Sequence, residues 1–420
     1  MLAALAPVAA LLVSVAILFA GNGLQGTLLP LRAQIESFSP LSIGVMGSAY
    51  YAGFVAGCLI GPFVVRRAGH IRAYAALVAI ASCTALAHAV LVEPVVWWIG
   101  RAVTGFCFSA LFMIVESWLN ETSTNETRGR VFSTYIIINL SMMTAGQFLL
   151  TLDSPASFAL FALASALVSL ATVPLSLTTQ AQPAPLQRVQ VRVRRLFRIS
   201  PVGFVGCLAV GAGNGAFWAL GPVFAQADGD DSTLRVALFI SLAAMAGAIS
   251  QWPIGFLSDR MDRRLVIVGC ALGATAASGL LVLFGIGTGL WLYLLAAGYG
   301  LFAFPLYGLS VAHTNDYVDR EDYVETASAL LLIFAGGATI GPFVASSAMQ
   351  AWGPEALFGF SGLAYLLLAG FAVIRMRSRA AVSEAERATF AEAAVAAQTV
   401  STIDPGLGEE LDDADDDHPA

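Results

Sequence analysis

The chain has 420 residues, of which 58% are hydrophobic and only 12% charged, and its mean hydropathy is +0.77. Globular chains carry about 25% charged residues, so this one cannot clothe two or three soluble domains, and a lipid bilayer is its expected solvent. The net charge of −7 belongs to the tail: residues 376–420 hold 11 acids against three arginines, a net −8, which leaves +1 for the rest.

These figures exclude several classes. No region is basic enough for a nucleic-acid partner. The five cysteines stand singly in apolar runs, so neither a disulfide scaffold nor a paired-thiol metal site is expected. Phosphate loops, a G-x-S-x-G elbow and H-E-x-x-H are absent, and nothing calls for a cofactor, so the chain is not expected to be an enzyme.

A helix needs about 20 apolar residues to cross a bilayer core of about 30 Å. Such runs occur at 7–29, 43–65, 73–92, 95–118, 131–151 and 156–177. After a polar break at 178–200 they resume at 201–225, 234–257, 265–286, 290–313, 325–349 and 355–374. They are too long and too evenly apolar for barrel strands. An all-α membrane protein with twelve transmembrane helices is predicted. The first run lacks a basic start, and Asn22, Gln25 and Pro30 stand where a cleavage site would fall, so it reads as a span rather than a signal peptide.

All 21 basic residues are arginine, and 18 fall on the even-numbered connections, the central linker and the tail. By the positive-inside rule both termini lie in the cytoplasm of a bacterial inner membrane. The Asn-x-Thr sequons at Asn120 and Asn125 then face inward, as chance matches.

The break at 178–200 divides the spans six and six, and the halves repeat. Ala20-Gly21-Asn22-Gly23 precedes Pro30 as Ala212-Gly213-Asn214-Gly215 precedes Pro222, at an offset of 192. Gly146 and Gly341, like Gly105 and Gly300, differ by 195. Six helices return the chain to its starting side, so the repeat is parallel and forms two bundles about a mid-membrane cavity. The organisation read from this is an N-terminal six-helix bundle (1–178), an Arg-rich cytoplasmic linker (179–200), a C-terminal six-helix bundle (201–375) and an acidic, largely disordered tail (376–420), helical near 382–398.

After the eighth span the chain reads Gly255-Phe-Leu-Ser-Asp259-Arg260-Met-Asp262-Arg263-Arg264. This resembles the loop signature of the major facilitator superfamily, G-x-L-x-D-R-x-G-R-R, with Asp262 in place of the second Gly. Arg101 and Gly105 resemble its R-x-x-x-G on the fourth helix. Gly337, Gly341 and Pro342 resemble its antiporter G-x-x-x-G-P, although the superfamily carries that motif on helix 5, where this chain has Gly146-Gln147. Val115-Glu116-Ser117-Trp118-Leu119-Asn120, Arg128-Gly129-Arg130 and Gln251-Trp252-Pro253-Ile254-Gly255 are most similar to the YcaD-like branch. The resemblance covers residues 1–375 and implies a transporter, without naming its substrate.

An ionisable residue inside a span costs about 3 kcal/mol on insertion scales, which makes it a functional candidate. Arg101 is one, as an anion or acceptor site or a proton-relay partner; a clamp on neighbouring carbonyls is the structural alternative. Asn22 and Asn214 form a matched pair of candidate cavity amides, with Gln25, Asn139, Gln147, Trp218 and Gln251 as further lining candidates. Arg66, Arg67, Glu116, Arg130, Asp259, Arg260 and Arg263 are candidate gate residues at the cytoplasmic ends. Arg66-Arg67 occupy the place of Asp259-Arg260 at an offset of 193, which suggests a charge-swapped pair of Arg66 with Glu116; pairing of Glu116 with Arg128 or Arg130 is the alternative.

One arginine and several amides without a mid-depth carboxylate suit a small polar solute, neutral or anionic. The expected function is secondary transport by alternating access, in a monomer, with protons as the candidate coupling ion. Two alternatives stand beside it: a non-transporting sensor or scaffold acting through the acidic tail, and a drug/proton antiporter.

Overall fold

A computed structural model describes residues 8–124, 127–178, 188–190, 193–229, 232–285, 289–319, 322–378, 390 and 402–404. Asn125, Arg320, Arg379 and Arg387 lie outside these residues, as do most of the linker and nearly all of the tail, including the helix expected near 382–398 apart from Phe390.

Among the described residues, twelve helices are long and apolar enough to cross a membrane. They are α1 (Ala9–Ile35), α2 (Pro40–Ala68), α3 (His70–Val90), α4 (Pro94–Thr122), α5 (Arg128–Leu152) and α6 (Phe158–Ser176), followed by α7 (Pro201–Ala225), α8 (Thr233–Arg260), α9 (Arg263–Phe284), α10 (Leu290–Asn315), α11 (Tyr323–Trp352) and α12 (Ala356–Ser378). All twelve overlap the spans predicted from hydropathy. Successive spanning helices alternate in direction, so the linker and the last turns of α2, α4, α8 and α10 share one end of the molecule, the linker end. The first turns of α2, α4 and α8 share the other, the far end.

Capping residues fix the helix starts. Ser39 precedes Pro40 and accepts from the Ser42 N–H at 3.2 Å, and Ser200 precedes Pro201 and accepts from Gly203 at 3.3 Å. Prolines mark the internal breaks. α6 is interrupted at Ala171, three residues before Pro174, and α10 at Phe304, where Pro305 brings no N–H to the ladder. Gly69, at φ +83°, turns α2 into α3. At an offset of 193 its counterpart is Asp262, the residue that departs from the family loop signature. Asp262 sits at φ −60° instead and caps α9, its carboxylate accepting from the Arg264 N–H at 3.0 Å.

The internal repeat is expressed in backbone contacts. Gly146 of α5 packs on the Ala20 carbonyl of α1, and Gly341 of α11 packs on the Ala212 carbonyl of α7. Gly23 likewise faces Met143, and Gly215 faces Ala338; Gly105 packs on Tyr50, and Gly300 on Ala243. In every pair both members are shifted by 192 to 195 residues, so the duplication preserved which backbones touch. A side chain at these glycines would hold the helices apart, and close small-residue approach is how membrane helices gain contact without a hydrophobic drive. The halves also meet each other at the far end, where Gly44 of α2 lies against Ser346 and Pro342 of α11, and Gly47 against Ala219 of α7.

Candidate functional site

A cavity of about 290 Å³ lies between the halves. On α1 it is lined by Phe19, Asn22, Gly23, Gly26, Thr27 and Pro30, a stripe at i, i+3, i+4 and i+7 spacing along one helix face. Asn139, Met143 and Gln147 form a matching column at i, i+4 and i+8 on α5. Met46, Gly47, Tyr50, Tyr51 and Phe54 of α2 and Arg101 and Phe112 of α4 complete the wall contributed by the N-terminal half. The C-terminal half supplies Trp218, Ala219 and Pro222 of α7 and Ile240 of α8.

The two walls differ in chemistry. Apart from the Trp218 indole N–H, every polar lining side chain comes from the N-terminal half, which also contributes Phe19, Phe54 and Phe112, and the opposite wall is apolar and aromatic. Trp218 is held flat by Phe304, the ring centroids 5.7 Å apart and the planes within 13°. Gln147 bridges the halves: its Oε1 accepts from Ser241 Oγ of α8 at 2.8 Å. The Arg101 guanidinium lies over the Tyr50 ring, with Cζ 4.2 Å from the centroid. Its Nε is buried without a hydrogen-bond partner. Among the described residues no carboxylate lines the cavity and none pairs with Arg101.

Of the eight candidate lining residues, the structure places Asn22, Arg101, Asn139, Gln147 and Trp218 in the cavity wall. Three expectations are corrected. Asn214 is buried and accepts a hydrogen bond from Tyr365 Oη of α12 at 2.9 Å, so the amide repeated in sequence is not repeated in the cavity. Gln25 falls off the α1 stripe and is buried within the helix packing. Gln251 lies nearer the linker end of α8, away from the lining. Tyr50, Tyr51 and Thr27 were not singled out from sequence, because tyrosine and threonine in an apolar run ordinarily read as packing.

At the linker end, Asp259 and Arg263 form an ion pair at 2.9 Å, and Arg263 also reaches Asp316 of α10 at 3.2 Å. Arg263 is almost fully buried, at 1% side-chain exposure, so two carboxylates offset its desolvation. Arg260 is exposed and lies over the Phe256 ring, 3.8 Å from its centroid. The expected Arg66–Glu116 pair is not formed. Glu116 is buried in the N-terminal half and accepts from Tyr135 Oη at 3.1 Å, while Arg66 and Arg67 lie at the surface end of α2 without an ion pair between them and Glu116. Burial explains the difference: Glu116 lies on the inward face of α4, where a hydroxyl from α5 reaches it. Arg130 is exposed on the first turn of α5.

The family model of the Major Facilitator Superfamily matches residues 11–336 and again 253–403. The chain belongs to the Major Facilitator Superfamily. It is 26% identical over 364 residues to the uncharacterized MFS-type transporter YcaD of Escherichia fergusonii, an alignment that covers 84% of this chain and 91% of that protein. The YcaD of Salmonella arizonae is similar to the same extent. Among solved structures, the nucleoside transporter NupG superposes with a TM-score of 0.70 at 16% identity, covering 88% of this chain and 97% of that one. A bacterial homolog of the lysosomal transporter Spinster, inward-facing and occupied, gives 0.73 at 14% identity, covering 91% and 97%. The superfamily fold, two pseudo-symmetric six-helix bundles, is thereby shown, and the chain is a multi-pass membrane protein of a transporter family.

Proposed function

We propose that this superfamily member moves a small polar solute, neutral or anionic, across the bacterial inner membrane by alternating access of the cavity between its halves. The reading places both termini in the cytoplasm on the arginine distribution, takes protons as the candidate driving ion and has the protein working as a monomer. The observation that carries it is the wall of Asn22, Tyr50, Arg101, Asn139 and Gln147, cationic and rich in donors, with no carboxylate lining the cavity among the described residues. A volume of about 290 Å³ is at the small end of ligand sites. Counterflow in proteoliposomes tests it: entry of labelled solute against its unlabelled form supports transport, and Arg101→Ala should abolish it with expression unchanged.

One observation favours a second reading, a sensor acting through the tail. The Phe390 N–H donates to Asp259 Oδ1 at 2.8 Å, and its ring lies against Gly255 and Gly308. Deleting residues 384–420 tests it: loss of phenotype with flux retained supports signalling. The antiporter reading draws less support. Gly337 and Gly341 pack on the Leu208 and Ala212 carbonyls of α7, a role in helix packing, and among the described residues the lining holds no acid to attract a cation.

A further inference from the structure

The two unlike walls of the cavity carry a more specific reading, which rests on the transport function proposed above. A guanidinium withdrawn from water is costly unless paired or hydrogen-bonded. Arg101 has the Tyr50 ring beneath it, a buried Nε without a partner and, among the described residues, no carboxylate within the cavity lining. A ring face offsets part of the desolvation but accepts no hydrogen bond in the plane of the guanidinium. A guanidinium carries paired N–H donors that a carboxylate takes in a bidentate pair. Asn22 and Tyr50 line the same cavity as Arg101, so an amide and a guanidinium face one enclosed space.

Across the cavity, Trp218 presents a face that Phe304 keeps from rotating, with Pro222 and Ile240 beside it. That wall offers area and no polar atom besides an indole N–H. A small hydrophilic anion would leave it uncovered, and a neutral apolar solute would leave Arg101 unpaired. We infer that the cavity binds an amphipathic organic anion, an aryl carboxylate, with its carboxylate on Arg101 and Asn22 and its ring on Trp218. Tyr50 is then a positioning residue, acting through the guanidinium it supports.

Binding to the purified full-length protein, read by calorimetry, tests this with benzoate, cinnamate and indole-3-acetate, each beside its neutral amide, with acetate and phenyltrimethylammonium as controls. At least one aryl carboxylate should bind, about tenfold or more tighter than its amide, as expected for a charge-assisted pair. Acetate and the cation should bind weakly or not at all. Arg101→Gln should erase the preference for acid over amide, and Arg101→Lys should restore part of it. Trp218→Ala should bring the aryl acid towards acetate, and Tyr50→Leu should narrow the gap between acid and amide while the amide's affinity holds. Melting curves and gel filtration confirm that each variant is folded. The inference is overturned if no aryl carboxylate binds, if amide or cation binds as tightly as the acid, or if a folded Arg101→Gln keeps the preference. Selective binding without flux in proteoliposomes would overturn the transport reading alone. Flux of another solute class without aryl-acid binding would overturn this inference and leave transport standing.

Discussion

Asn214 and Tyr365 are joined by a 2.9 Å hydrogen bond inside the C-terminal half, whereas Asn22, the counterpart of Asn214 in the repeat, stands in the cavity wall. The same Gly-Asn-Gly sequence thus performs two tasks. Tyr365 also meets Tyr299, their hydroxyls 3.1 Å apart, so Asn214 anchors a polar cluster that ties α7 to α10 and α12.

Asn214→Ala should therefore lower stability by about 1–3 kcal/mol, the cost of stranding a buried partner, with flux per folded molecule near wild type. Asn22→Ala should do the reverse. Detergent melting curves beside counterflow rates check both, and equal effects on flux would show that the cavity assignment is wrong.

The twelve spans were legible because lipid demands continuous apolar helices, and the repeat because close helix contacts demand glycine at fixed places. The lining was legible only in part. Hydropathy gives no rotational phase, so Gln25 was not separable from Asn22, three residues away, although the α1 stripe excludes it. Asn214 could not be told from Asn22 because what decides it is Tyr365, more than 150 residues later in the chain. Tyr50 and Tyr51 were passed over because an aromatic residue in an apolar run has no signal apart from packing. The pairing of Glu116 depended on helix rotation too, and Tyr135 reached it in place of Arg66.

Gly341 and Gly336 offer a contrast within one helix. A Cβ at Gly341 would collide with the Ala212 carbonyl, whereas one at Gly336 would meet nothing within 4 Å. Gly341→Ala should cost about 1–3 kcal/mol by overpacking, and Gly336→Ala should be neutral or mildly stabilising. Gly146→Ala should mirror Gly341→Ala, since it meets the Ala20 carbonyl in the same way. Thermal midpoints of the three variants decide it.

The Asp316 side chain is 4% exposed and that of Asp259 34%, yet both face Arg263. Asp316→Asn should destabilise more than Asp259→Asn, because the buried partner is less screened by water. Arg263→Ala should cost the most, about 3 kcal/mol, by stranding a buried carboxylate. Melting curves at low and high salt separate the two acids, because the cost of Asp259→Asn relative to wild type should shrink more at high salt than that of Asp316→Asn.

Asp262 supplies a pH-dependent contribution. Partial burial raises its carboxyl pKa, but hydrogen bonds from the Arg264 side chain and N–H, with the Arg264 charge, outweigh this and hold it below the usual carboxylate range. A depressed folded value means that the stabilisation is present above the ordinary carboxylate pKa and lost as pH falls through the folded one. Asp262→Ala should lower stability by about 1 kcal/mol at neutral pH, as for loss of an N-cap. The gap from wild type should close as the medium is acidified below about pH 4. A gap that does not vary with pH would contradict the assignment.

The most direct test of solute passage through the cavity is accumulation in proteoliposomes offered a defined mixture of carboxylates, their amides, nucleosides and sugars, with vesicle contents read by mass spectrometry. The prediction is that at least one solute accumulates with wild type and with Asn214→Ala, scaled to folded protein, and fails to accumulate with Arg101→Gln. No accumulation at all, or the same accumulation through Arg101→Gln as through wild type, would contradict it.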